Sequence, residues 1–409
     1  LIMFTKYKHQ HFQEYFILTK SLLLFFLLNT FNATCQSNST IVGAERTSLY
    51  FHKLMGKRVG FVANQTSKIN NDHLVDILLN EGINIVKVFS PEHGFRGNAD
   101  AGAKVRDEID LQTGLPIYSL YGKNRRKPSK EVLKDIDLIL FDLQDVGVRF
   151  YTYISSLHYV MEACAENSIP LILLDRPNPN GFYVDGPILS PKFKSFVGMH
   201  QVPVVHGMTI GEYAKMINGE GWLKESIKCS IEVIPCLNYN HFMKYNLPIP
   251  PSPNLPNMRS VYLYPSLCFF EGTNVSIGRG TESPFQLYGA PYFDSKLFKF
   301  TPKSSYGSNY PKYKELECFG EDLRNLSLDS LKNINSLNFN WLVKSYKLSN
   351  ESVDFFNKNG FFNLLAGTDK IMNLIKGGAN SDQIRETYQI DLQKFKLIRK
   401  KYLIYDDFE

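Results

Sequence analysis

The sequence predicts an α/β protein: a Rossmann-like parallel sheet domain followed by a smaller α+β C-terminal domain. Two patterns carry that prediction. Between residues 58 and 177, short apolar runs alternate with segments of helical period, and such alternation builds a parallel sheet with helices on its faces. Beyond residue 222 the alternation stops and a proline-rich stretch intervenes. A chain of 409 residues is long enough for both units. The expected organisation is a signal and linker over 1–40, the Rossmann-like domain over 41–222, and a C-terminal domain over 223–409 that completes a cleft.

Five runs read as strands, at 58–63, 83–89, 116–120, 138–143 and 170–174, each short and rich in Val, Ile, Leu or Phe. Residues 72–80, 129–136 and 153–167 between them carry helical periodicity. No Gly-x-Gly-x-x-Gly follows the first strand, where Ala63-Asn64-Gln65-Thr66-Ser67 stands instead, so the dinucleotide fingerprint is missing. The second region opens with an apolar run at 229–235. Proline at the density of Pro248-Ile249-Pro250-Pro251-Ser252-Pro253 then fixes an extended path and blocks helix, as a wall or linker does. Helical patterns at 368–375, 381–387 and 392–402 close the chain, with a glycine stop at Gly377-Gly378.

Composition is ordinary for a globular protein, 44% apolar and 21% charged, and the net charge of +6 is scattered. The densest basic run, Lys123-Asn124-Arg125-Arg126-Lys127, reads as a solvated loop, so no nucleic-acid partner is expected. Near the N-terminus, Lys6, Lys8 and Lys20 precede the apolar run Leu22 to Leu28, and small and polar residues lead to Cys35. That order reads as an export signal too short to span a membrane, placing the protein in the periplasm or cell envelope. Cys35 is a candidate lipid-attachment site, although Asn32 fits poorly three residues before it; simple cleavage and a retained anchor are the alternatives. Membrane contact is expected only there. Cys164 and Cys268 read as buried thiols, whereas Cys229 and Cys236 could be joined across a hairpin or stay free. No metal-ligand spacing is present, and neither metal nor cofactor is expected.

Polar residues cluster where the strands end: Asn64 and Thr66, Glu92 and His93, Asp142 with Gln144 and Asp145, and Asp175 with Arg176 and Asn178. Each alone is an ordinary cap or turn former. Along one sheet edge, where open α/β sheets bind ligands, they point to a site.

In chain order the motifs are Gly60-Phe61-Val62-Ala63-Asn64-Gln65-Thr66-Ser67, Ser90-Pro91-Glu92-His93-Gly94-Phe95-Arg96-Gly97 and Phe141-Asp142-Leu143-Gln144-Asp145-Val146-Gly147-Val148-Arg149 with Tyr151-Thr152-Tyr153. Asp175-Arg176-Pro177-Asn178-Pro179, His206-Gly207-Met208-Thr209 and Glu271-Gly272-Thr273-Asn274 with Gly278-Arg279-Gly280-Thr281-Glu282 follow. This set resembles the exo-β-N-acetylmuramidase family of peptidoglycan hydrolases, formerly known only as a domain of unknown function, over residues 56–405. The resemblance implies two domains with the pocket between them. It also implies hydrolysis of the β-linkage of a terminal non-reducing N-acetylmuramic acid, a role in cell-wall recycling, and peptidoglycan-derived muramic acid saccharides as partners.

Residue chemistry fits that implication. Most glycosidases need two carboxyl groups beside the scissile bond. Glu92, at a strand end, is the candidate general acid and Glu271 its base or nucleophile partner; Glu271 follows the apolar Leu267-Cys268-Phe269-Phe270, a setting that favours the protonated form. Asp142, Asp145 and Glu282 stand in reserve. The blander alternative is that Glu271 and Glu282 merely pair with Arg279 or another arginine. His93 either orients Glu92 or is a polar wall. The lactyl carboxylate of muramic acid calls for a cation, and Arg279, Arg149 and Arg96 are the choices inside the motifs; Arg149 could equally tie to Asp145. Asn64, Asn178 and His206 are candidate partners for hydroxyls or the acetamido group, and Tyr151 and Tyr153 either stack on a sugar or belong to the core. The competing reading is a non-catalytic sugar-binding lipoprotein. An esterase or amidase lacks support because no Gly-x-Ser-x-Gly elbow occurs.

Overall fold

The structure is a computed structural model that describes residues 39–92, 94–96, 108–122, 126–350 and 354–409. Cys35 and His93 lie outside the described residues. At its centre are strands buried along their whole length, β1 (Val59–Ala63), β7 (Leu138–Asp142) and β8 (Leu171–Leu174). Strands covered on both faces need continuous apolar runs, which is how the sequence writes them. Around them lie β4 (Ile85–Ser90), β5 (Glu108–Ile109), β6 (Pro116–Ser119) and β9 (Ile231–Ile234). A two-residue hairpin, β2 (Lys68–Ile69) with β3 (Asp72–His73), leaves the end of β1. The seven strands are ordered β5-β6-β4-β1-β7-β8-β9, and every pairing is parallel except that of β5. Without β5 this is the 3-2-1-4-5-6 order of doubly wound sheets, whose direction reverses at β1. Registers such as Ala63↔Asp142 and Ser90↔Ser119 bring the carboxyl ends to one edge.

Alternation along each strand separates two cores. Val62, Phe89, Ile139 and Phe141 pack with the helices Tyr153–Glu166 and Ile210–Gly219. Val59, Phe61, Val88 and Leu140 pack with the helix Leu74–Asn80. The first core continues without a break into the C-terminal domain through Leu263, Phe269, Phe339 and Phe395. There the helix Met258–Leu267, an antiparallel sheet of β10 (Leu287–Ala290), β12 (Cys318–Asp322) and β11 (Phe298–Phe300), and helices up to Gln389–Arg399 make the smaller unit.

Strand β9 belongs to the large sheet although the sequence reading placed 229–235 in the second unit; Leu171↔Ile231 through Leu174↔Ile234 pair in parallel. That geometry also removes the proposed Cys229–Cys236 link. The four extended residues between them span about 13 Å, beyond disulfide reach, and both thiols are free and buried, as are Cys164, Cys268 and Cys318.

The proline-rich segment is a wall. The Tyr151 hydroxyl and Gln65 Nε2 donate to the Pro251 carbonyl at 2.9 and 3.1 Å, so the segment is tied across the ends of β1 and β7.

Candidate active site

Glu92 stands two residues past β4, and Tyr121 two residues past the neighbouring parallel strand β6. Burial first, and the adjacent Glu92 next, raise the pKa of the Tyr121 hydroxyl, which therefore stays protonated. From the far side of the switch point, Thr152 starts the helix Tyr153–Glu166 without capping it by its side chain. Its hydroxyl instead donates to Glu92 Oε2 at 3.3 Å.

Glu271 arrives from the C-terminal domain, in the 3-10 turn Cys268–Gly272 that follows the helix Met258–Leu267. Phe269 and Phe270 anchor the turn in the core, the latter stacked on Tyr288 at 4.9 Å. The apolar setting expected for Glu271 is thus real, but the rings are turned to the core and the half-exposed carboxylate meets a cation. Arg279 Nε and Nη2 donate to Glu271 Oε1 at 2.8 and 2.5 Å. Gly278 and Gly280 beside it have φ of +74° and +80°, a left-handed path that favours glycine. Gly272 is required by space: an added Cβ would lie 2.4 Å from Phe362 Cα. Gly272→Ala is expected to destabilise the fold by about 1–3 kcal/mol and to lower activity by moving Glu271. Urea denaturation and a rate assay on one preparation check both.

Glu92 and Glu271 line one cleft of about 760 Å³, with Thr152, Tyr121, Tyr264 and Arg279. Arg126 and Lys312 add two more cations, and Phe150, Phe196 and Tyr310 add aromatic surface. A side pocket of about 60 Å³ shares Glu92 and Arg279 and reaches Tyr153. Another cleft, of about 620 Å³ between Trp222 and Phe395, contains none of the candidate residues.

Most other residues singled out from the sequence hold the scaffold. Arg149 is fully buried, and its Nη1 and Nη2 donate to the carbonyls of Pro187, Val202, Leu365 and Ala366; it neither pairs with Asp145 nor reaches the cleft. Arg96 pairs with Asp110 at 2.7 Å and with Asp76 at 3.5 Å. Asp142 is buried against Arg176, with contacts of 2.6 and 2.8 Å. Asn64 accepts from Thr66 and donates to the Tyr153 hydroxyl at 2.8 Å, shaping the turn after β1. Asn178 binds the Met208 carbonyl and the Asn180 N–H. Glu282 is exposed and outside the cleft.

Asp145 and His206 are buried 3.9 Å apart. Burial pushes Asp145 up to about 7, against the Gly147 and Val146 N–H groups that pull it down. Burial, and then nearby Arg399, hold His206 down at about 3. An unfolded aspartate titrates near 4, so between about pH 4 and pH 7 the folded chain binds more protons at Asp145 than the unfolded chain does. Its contribution to stability therefore declines as pH rises through that window. Asp145→Asn is expected to gain stability relative to wild type as pH rises from about 4 to about 7, with a constant difference outside the window. Urea midpoints at stepped pH measure this; a pH-independent difference would contradict it.

The residues missed from sequence are Tyr121, Thr152, Arg126, Phe196, Tyr264, Tyr310 and Lys312. Tyr121 had a usable signal, since it follows β6 just as Glu92 follows β4.

An open α/β sheet whose switch point faces two carboxylates from separate domains has the parts that a glycoside hydrolase uses. Comparison with known proteins makes that class specific. Residues 59–259 match the model for the N-terminal part of exo-β-N-acetylmuramidase NamZ, and residues 262–405 match the C-terminal part. A peptidoglycan β-N-acetylmuramidase NamZ of Bacillus subtilis is 40% identical over 375 residues, 87% of this chain and 89% of that one. Two crystal structures of DUF1343 family proteins from Bacteroides fragilis are also similar. One has 48% identity and a TM-score of 0.84 over 90% of this chain and 100% of the other. The second has 31% identity and a TM-score of 0.74, over 90% and 99%. The chain belongs to the exo-β-N-acetylmuramidase NamZ family, and it is a glycoside hydrolase.

Proposed function

We propose that this enzyme releases terminal non-reducing β-linked N-acetylmuramic acid from peptidoglycan fragments, with Glu92 as general acid and Glu271 as base or nucleophile. The observation that carries the reading is the joint lining of one cleft by Glu92 and Glu271, in a chain whose Bacillus subtilis relative is a peptidoglycan β-N-acetylmuramidase. Arg279 donates two N–H groups to Glu271 Oε1 and so holds that carboxylate in position for the role of base or nucleophile. Glu92 lies among hydroxyls on the opposite domain, where it can give its proton to the departing sugar oxygen. Water supplies the hydroxyl of the released sugar and returns the proton. The N-terminal apolar segment is read as an export signal, with Cys35 as the candidate lipid-attachment site, which places the enzyme beside its substrate in cell-wall recycling.

The test is release of free N-acetylmuramic acid from a muramic-acid-terminated disaccharide by the purified protein, beside an N-acetylglucosamine-terminated control. Release from the first alone is expected. Failure on both disaccharides would favour the binding-protein alternative.

A further inference from the structure

The charged groups lining the cleft do not balance: Arg126, Arg279 and Lys312 face Glu92 and Glu271. Arg279 donates to Glu271 from Nε and Nη2, and only its Nη1 is left without a partner among the described residues. Lys312 Nζ donates to the carbonyls of Thr273 and Val275, and burial draws its pKa down to about 8. Arg126 is different. It makes no ion pair or hydrogen bond with any described residue, and its buried Nε has no such partner. Its guanidinium carbon lies 4.2 Å over the Phe196 ring. Phe196 is itself fixed, with its carbonyl accepting from Ser155 at 2.8 Å and its ring stacked with Tyr159 at 6.4 Å. A guanidinium laid on an aromatic face is held in orientation and keeps edge N–H groups for a planar anion. The positive charge also reaches Tyr121, which neighbours Glu92.

We propose that Arg126, stacked on Phe196, is the specificity residue that grips the 3-O-lactyl carboxylate of the sugar. The assignment rests on the exo-muramidase reading, and it replaces Arg279, Arg149 and Arg96, the choices inside the sequence motifs. Arg126 is the one cation lining the cleft that holds neither a carboxylate nor a carbonyl among the described residues, and it matches the single carboxylate that distinguishes muramic acid from N-acetylglucosamine. A two-point hydrogen bond from a positioned guanidinium supplies the grip without new ordering of the loop.

The experiment compares two muramic-acid-terminated disaccharides, one with the free lactyl carboxylate and one with that group as its primary amide. Wild type, Arg126→Met, Arg126→Lys and Lys312→Met are assayed on both. Wild type is expected to prefer the carboxylate by about a hundredfold in kcat/KM, the size of a charged hydrogen-bond pair. In Arg126→Met the KM for the carboxylate substrate rises by a similar factor, the preference falls to near one, and the amide is still turned over within a few-fold of wild type. Arg126→Lys recovers part of the preference. A preference that persists in Arg126→Met overturns the proposal. So does loss of both activities together, which marks a structural role, or loss of preference in Lys312→Met alone. Wild type inactive on both substrates brings down the exo-muramidase reading itself, an outcome separate from a wild type that is active but indifferent to the carboxylate.

Discussion

Glu271→Gln should lower turnover of a muramic-acid-terminated disaccharide by about a thousandfold, with an equal loss on a nitrophenyl muramide. Glutamine keeps the shape of the side chain beside Arg279 but cannot act as base or nucleophile, and that duty is the same whatever sugar or phenol departs. Glu92→Gln separates from it. Loss on the disaccharide should again be about a thousandfold, because a sugar alkoxide leaves poorly without a proton. Nitrophenolate leaves unaided, so most of the kcat/KM on the aryl substrate should survive. Two variants on two substrates make four rate constants. An aryl-glycoside rate that collapses in Glu92→Gln but survives in Glu271→Gln would reverse the two roles, and full activity in both would move the chemistry to other residues.

Asp142→Ala is expected to destabilise the protein by about 3–5 kcal/mol. Asp142 is fully buried and Arg176 nearly so, and two guanidinium N–H groups donate to the two carboxylate oxygens. Removing the acid leaves an uncompensated charge in the interior. Arg176 Nη2 also donates to the Lys68 carbonyl, which cannot neutralise it. Asp142→Leu with Arg176→Met together should recover most of the loss, since replacing both members of a buried pair is far cheaper than orphaning one. Urea denaturation of the single and double variants measures the difference; a single-variant loss below about 1 kcal/mol would exclude the orphaned-charge account. Activity adds a second reading. If Asp142 is scaffold and not substrate contact, the double variant keeps its kcat and KM below its melting range.

The parallel half of the fold was legible because β1, β7 and β8 are buried on both faces and leave apolar runs, broken only by Asp142 at the end of β7. The small antiparallel sheet was not. Phe298–Phe300 is largely exposed, and Cys318–Asp322 mixes glycine with two acids, so neither has a period to detect. Glu92 could be read from its place at a strand end, whereas Glu271 was singled out by its motif and the apolar run before it, because its turn ends no strand. Arg149 misled through its spacing: four residues after Asp145 suggests a tie, but Gly147 has φ +75° and the segment is not a helix. Arg126 was hidden inside a basic run that reads as surface, and Lys312 in a loop with no strand or helix next to it. Side chains that meet only after the second domain folds over the sheet leave no local pattern.

The Arg149 anchor sets how freely this cleft can diversify. Its guanidinium joins the sheet domain to the helix Phe361–Ala366 through the Leu365 and Ala366 carbonyls, groups that every amino acid carries. The joint constrains the path of the backbone and is indifferent to which side chains ride on it. Leu364, which faces the cleft from that helix and lies outside the buried core, can therefore change under selection for new sugar substituents while the seam stays closed. Architecture and specificity are written here on different residues of the same helix.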